Sequence, residues 1–201
     1  MNNNESSPSP EEPHPSGEKI YIENKDTSSY LINEQAVKNV VSFILSHFGL
    51  ANYELNVNFV SREEIQILNH RYRLKETPTD VLSFPQTEFF EPISGGKTAK
   101  HSEIHNLLGD LVICIDVAEK NANLIEHSIA DEVAFLIAHG ILHLGGHDHI
   151  HPSEEQLMLR EQKEIIGLLN EKRRLEPEDF STLVTKADGS RPLDQAIEVE
   201  S

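Results

Sequence analysis

Between residues 18 and 174 the apolar positions recur in two rhythms, and their order sketches a fold. Lys19–Glu23 (KIYIE) has the short alternation of a strand. Asn33 then offers a helix cap, after which Val37, Val40, Val41, Ile44, Leu45 and Phe48 fall at i, i+3, i+4 spacing until Gly49 ends the pattern. Tyr53–Val60 alternates with period two and predicts a half-buried strand. Ser61 with Glu64 three residues on is a capping box for a second helix, to about His70. Val81–Phe84 is a short apolar stretch stopped by Pro85, and Leu107–Asp116 is continuously apolar enough to predict a strand covered on both sides.

One extra turn is expected near Glu119, followed by two long helices. The first is capped by Ser128 with Asp131 in the reciprocal position; the second is capped by Ser153 after Pro152, with Gln156 three further on. Met158, Ile165, Leu168 and Leu169 mark the second helix's packing face, and Cys114 is expected to be a small core residue. This order predicts a single α+β domain, a four-stranded mixed sheet packed with about five helices. Gln86–Asn106 has no periodicity, and a loop of that length usually carries function or moves.

The flanks differ in composition. Residues 1–17 hold four prolines and three acids among small polar residues, and residues 175–201 hold seven acids against two bases. Both are expected to be disordered tails, leaving residues 18–174 as the folded domain. The chain carries 17 Lys and Arg against 34 Asp and Glu, a net charge of −17, of which −9 belongs to residues 18–174. Binding nucleic acid by bulk positive charge is thereby excluded, and an RNA partner needs a local cationic site such as Arg71, Arg73, Lys75, Lys97 and Lys100 could form. The longest apolar run, Val133–Ala138, is too short for a membrane span, a single cysteine precludes an internal disulfide, and no secretory signal is visible. A cytoplasmic protein is expected.

Chemistry concentrates in one place. Five of the eleven histidines lie between His139 and His151. His139 and His143, four apart on the helix opened by Ser128, can grip one ion, and Gly145-Gly146 can then turn the chain back. In the pattern His139-x3-His143-x2-Gly146-x2-His149 the third ligand is assigned to His149, since His147 follows the glycines too closely and His151 lies beyond Asp148. This puts a metal site at the end of a central helix. The spacing is that of metzincin peptidases, but their general-base glutamate is replaced by Gly140. Three neutral nitrogens leave an open position on one Zn²⁺, the arrangement of a catalytic site.

The stretch His139–His149 (HGILHLGGHDH) resembles the signature of the YbeY endoribonucleases, HGxLHLxGYDH. Leu68-Asn69, Tyr72-Arg73 and Pro78–Pro85 (PTDVLSFP) resemble that family's LNxxYRxxxxPTDVLSFP block, Leu108–Ile113 its LGDIVI strand, and His127-Ser128 with Glu132 its approach to the metal helix. The resemblance covers about residues 68–150, with His147 in place of the usual tyrosine and no family motif in the 86–106 loop.

It implies a zinc-dependent, single-strand-specific endoribonuclease acting in ribosomal RNA maturation, at the 3′ end of the 16S RNA, and in ribosome quality control. Single-stranded ribosomal RNA and ribosomal subunit proteins would be the partners. It points to Arg73 as the catalytic residue, a guanidinium able to contact two phosphate oxygens at once. Asp80 and Ser83 are read as structural, and Asp110 as either an imidazole-orienting carboxylate or a turn residue. Lys172-Arg173-Arg174 complements the dipole at its helix end. The alternatives are a zincin-like metallopeptidase, which Gly140 disfavours, and a non-catalytic, zinc-stabilised module of the ribosome, which the open coordination position disfavours.

Overall fold

The computed structural model describes residues 19–25, 30–97, 106–180 and 182–187. The expected N-terminal tail (residues 1–17) and Lys100 lie outside them. In chain order the elements are β1 (Ile20–Asn24), β2 (Tyr30–Ile32), α1 (Glu34–His47), β3 (Glu54–Phe59), α2 (Arg62–Arg73), β4 (Val81–Pro85), β5 (Leu107–Ile113), α3 (Ile115–Leu124), α4 (Ile129–Leu144), α5 (Pro152–Leu175), α6 (Pro177–Phe180) and β6 (Val184–Lys186). The α+β class and the four-stranded mixed sheet stand as expected. The sheet order is β1-β3-β5-β4, with β1, β3 and β5 parallel and β4 antiparallel to β5.

Period two in β3 sorts its side chains. Leu55, Val57 and Phe59 are fully buried in the main core with Leu111 and Ile113 of β5 and with α1 and α4. The opposite face receives α2, whose Ile65 packs with Leu82, Val112 and Cys114 in a smaller cluster. Asn33, Ser61 and Ser128 cap their helices as predicted, each side-chain oxygen accepting a backbone N–H three residues on. No helix among the described residues is long and apolar enough to cross a membrane.

Several expectations need correction. The strand expected to reach Asp116 stops at Ile113, and the expected turn near Glu119 is the ten-residue α3. The Cys114 side chain does not cap the helix N-terminus, so no Ser, Thr, Asp or Asn capping signal marks a helix start there. Helix α5 begins at Pro152 after a His151 cap, not after Ser153, because proline is preorganised for the first helical position. Leu168 lies at the surface while Met158, Ile165 and Leu169 are buried.

The largest correction concerns the C-terminal boundary at residue 174. Phe180, Leu183 and Val184 are all buried, and β6 pairs antiparallel with β2 through Tyr30–Lys186, Leu31–Thr185 and Ile32–Val184. Polar clamps fix this small sheet to α3: the Tyr30 hydroxyl donates to Glu119 (3.0 Å) and Asp116 (3.2 Å), and Lys186 pairs with Glu119 at 2.7 Å. The acidic composition of residues 175–201 hid three apolar residues that join the main core, with α6 packed on α1 and α5.

Candidate metal centre

Helix α4 is buried on nearly every side. Of its residues only Ala130, Asp131, Phe135, His139 and His143 escape full burial, and the last four recur every fourth position, forming one open stripe. The close approach that buries the rest is visible at Gly140. A Cβ there would lie 2.5 Å from Leu111 Cδ2 and 3.2 Å from Ser83 Oγ, so the position faces the sheet. Beyond the helix Gly146 takes φ +89°, a conformation open to glycine, and the chain returns with His149 beside the stripe.

Ligand-capable nitrogens of His139, His143 and His149 lie within 4.8 Å of one another. The Nε2 atoms of His139 and His143 are 3.1 Å apart. Donors about 2.0–2.1 Å from a tetrahedral ion stand about 3.3 Å from each other, so this pair already has nearly the required separation. Both Nδ1 positions are committed elsewhere. That of His139 faces Gln162 Oε1 at 3.1 Å, and that of His143 faces the His147 carbonyl at 3.0 Å. These oxygens only accept, so each Nδ1–H donates and each Nε2 presents a bare lone pair. Two lone pairs facing at 3.1 Å repel unless a cation lies between them, and the donor set therefore fits a metal ion.

Electrostatics agrees. Burial, then the neighbouring His139, pushes the His143 pKa down to about 4. Burial also lowers that of His139, with His149 and Arg73 acting in the same sense and Gln162 and Asp80 opposing. Both rings are neutral at pH 7 and free to coordinate. His149 is exposed, so the open side of the site faces solvent.

The other histidines have different tasks. His147 is buried and its Nε2 meets the Ile93 carbonyl at 2.6 Å, while Ile93 N–H donates to the Gly145 carbonyl. The histidine in place of the usual tyrosine thus tethers the 86–97 segment to the end of α4. Glu161 of α5, almost wholly buried, accepts from Ser94 Oγ, the Gly95 N–H and Arg160, holding the same segment from the other side. His151 is an exposed helix cap and stands outside the triad.

Arg73 ends α2, exposed, with its charge reaching His139. Asp80 binds Asn121 (2.9 Å) and the Val81 N–H (2.8 Å), a structural role, yet its charge also reaches His139. Asp110 orients no imidazole. It accepts from Asn56 and Gln86, each at 2.7 Å, on the opposite face of the sheet from the core. The orienting groups are Gln162 and the His147 carbonyl, which local sequence does not signal: Gln162 is 23 residues from its partner. Glu132, buried beside Asp80, has its pKa raised by burial and by that neighbour. Two members of the basic cluster of α5 serve structure, Lys172 through Glu176 and the Phe180 ring and Arg173 through Asp131 and the Ala130 carbonyl, while Arg174 is exposed.

Comparison with known proteins follows the same lines. The family described as endoribonuclease YbeY matches residues 20–170. A protein of that name from Oceanobacillus iheyensis is 42% identical over 135 residues, 65% of this chain and 84% of the relative. One from Aquifex aeolicus is 42% identical over 130 residues, 65% and 79% of the two chains, and one from Shouchella clausii is 38% identical over 155 residues, 73% and 93%. The solution structure of a Thermotoga maritima protein superposes with a TM-score of 0.52 at 24% identity, covering 86% of this chain and 99% of that one, and supports the fold alone. Matched along most of its described length, the chain belongs to the YbeY family of hydrolytic endoribonucleases.

Proposed function

We propose that the protein is a zinc-dependent, single-strand-specific endoribonuclease that matures ribosomal RNA at the 3′ end of the 16S molecule and serves ribosome quality control. The observation that carries this reading is the convergence of bare Nε2 lone pairs from His139 and His143, with His149 beside them, on a solvent-facing point within reach of the Arg73 charge. Neutral imidazoles in near-tetrahedral spacing suit zinc. When bound, the ion supplies Lewis acidity that activates water at neutral pH, so no glutamate base is required. His139, His143 and His149 hold it; Gln162 and the His147 carbonyl fix the ring orientations.

Arg73 is the catalytic residue in this reading. Its planar guanidinium donates to two non-bridging phosphate oxygens as negative charge gathers on them. Position 140 aims at Leu111 and Ser83, so a zincin-type base could not be seated there, which counts against a peptidase. The exposed side at His149 counts against a closed structural site. The protein would work in the cytoplasm on single-stranded ribosomal RNA, in contact with ribosomal subunit proteins.

The test is metal analysis of the purified protein and of five His→Ala variants, with end-mapping of RNA cleaved by each. One zinc per chain should be lost in the variants of His139, His143 and His149 and retained in those of His147 and His151, with cleavage following the metal. Loss in His147→Ala with retention in His149→Ala, or metal-independent cleavage, would refute the assignment.

A further inference from the structure

The open stripe of α4 contains one residue that neither the fold nor the metal explains. Phe135 is 42% exposed and belongs to neither apolar cluster. It stands one helical turn before His139, about 6 Å along the axis. The two rings are nearly parallel, 12° apart, with centroids 6.1 Å from each other. Along the same stripe the next position, His143, is the second ligand candidate. A flat apolar face is thus held open to solvent next to the place where a phosphate would be cut, on a helix that buries nearly everything else.

We infer that Phe135 is the stacking platform for one unpaired nucleobase of the RNA, the base of a nucleotide adjoining the scissile phosphate. This rests on the endoribonuclease reading above. Every base has a π-face, whereas in a duplex both faces are covered by neighbouring bases, so such a platform takes an unstacked strand and refuses a helix. It also meets a need set by charge. A chain of net charge −17 gains little from long-range attraction to RNA, and contact energy from a stacked base requires no positive charge. Arg73 and the metal would engage the phosphate while Phe135 fixes the position of the base beside it, which sets the register of cleavage.

The sequence contains no tryptophan, so Phe135→Trp would place a single indole reporter at the platform. The experiment uses the full chain, parent, Phe135→Trp and Phe135→Ala, with single-stranded RNA oligonucleotides of one length in which an abasic nucleotide is walked through the sequence. Binding is followed by anisotropy of end-labelled RNA and by indole emission, and cleavage and zinc content are measured in parallel. The expected result is that bound RNA quenches the indole. One abasic position should restore emission and weaken binding by the parent and Phe135→Trp roughly 5- to 150-fold, the range of aromatic–base stacking. The same abasic RNA should bind Phe135→Ala within twofold of intact RNA. Equal abasic sensitivity in parent and Phe135→Ala, or an indole unaffected by saturating RNA, would overturn the inference. So would loss of zinc from Phe135→Ala with the abasic penalty intact, which would show that the ring only supports His139. Failure of the parent to cleave RNA with metal present would refute the endoribonuclease reading by itself, while the indole and abasic data still decide the platform.

Discussion

Replacing Gly140 by alanine tests how tightly α4 lies on the sheet. In an unencumbered helix this change stabilises by about 1 kcal/mol, since glycine loses more backbone freedom on folding. Here the new Cβ would meet Leu111 Cδ2 at 2.5 Å and Cδ1 at 3.3 Å. Normal carbon contact begins near 3.5 Å, so the helix or Leu111 must give by about 1 Å in a core where Leu111 is fully buried. Overpacking of that size costs about 1–3 kcal/mol, so the net effect of Gly140→Ala is a loss of about 0–2 kcal/mol. Leu111→Val removes the clashing carbon at a cost of about 1 kcal/mol. In that background Gly140→Ala should become neutral to stabilising, because the remaining approach, Ser83 Oγ at 3.2 Å, needs only a few tenths of an ångström of relief against the propensity gain. Urea denaturation of the four proteins gives the coupling energy directly, and about 1–3 kcal/mol is expected. If Gly140→Ala stabilises the parent by a full 1 kcal/mol, or the coupling falls below about 0.5 kcal/mol, the helix does not press on Leu111 and the packing account is wrong.

Arg73→Ala should leave zinc content and Tm unchanged and lower single-turnover RNA cleavage by roughly 10²–10³ at saturating RNA, with little rescue by Arg73→Lys; a near-normal Lys variant would reduce the residue to electrostatic capture. Glu161 resists its own burial through the Gly95 N–H, Arg160 and Ser94, which together hold its pKa below the ordinary 4.5. A carboxylate so depressed stabilises above its unfolded pKa and loses that contribution as pH falls through the folded value. Glu161→Gln should therefore cost about 1–3 kcal/mol at pH 7, with the deficit narrowing below about pH 4.5; a deficit independent of pH would refute the charge's role. Leu183→Ala should lower Tm by roughly 4–20 °C, because the side chain is fully buried, and an unchanged Tm would mean the C-terminal strap does not pack.

What could be read from the sequence was local. The caps at Asn33, Ser61 and Ser128 and the i, i+4 pair of His139 and His143 depend on neighbours within one turn, and the structure brings that pair together with His149. What escaped was set by distant partners. β2 and β6 have three residues each and find one another across more than 150 positions, so neither has a periodicity long enough to register. Gln162 and Ile93 become partners of His139 and His147 only after α5 and the 86–97 segment have docked. Asp110 is a related case: an acid in an apolar strand suggests a buried partner, whereas Asn56 and Gln86 satisfy it on the face away from the main core.

The disposition of charge makes a last demand on how RNA is held. Of the cluster at the end of α5, Lys172 and Arg173 are already paired, and among the described cations Arg73 is the arginine whose charge reaches His139. Arg71, Lys75, Lys97 and Arg174 are also exposed, but if RNA is held at the metal centre through Arg73 rather than along them, few phosphates are neutralised on binding. For single strands each neutralised phosphate contributes about −0.7 to the slope of log K against log salt concentration, so two or three give roughly −1.4 to −2.1. A protein that clamps RNA along a basic groove of six phosphates would show a slope near −4. Binding measured from 50 to 300 mM KCl at constant metal separates the two. A steep slope would mean that cations beyond Arg73 line the RNA path, and that short-range contacts at the metal centre and Phe135 are not the main source of affinity.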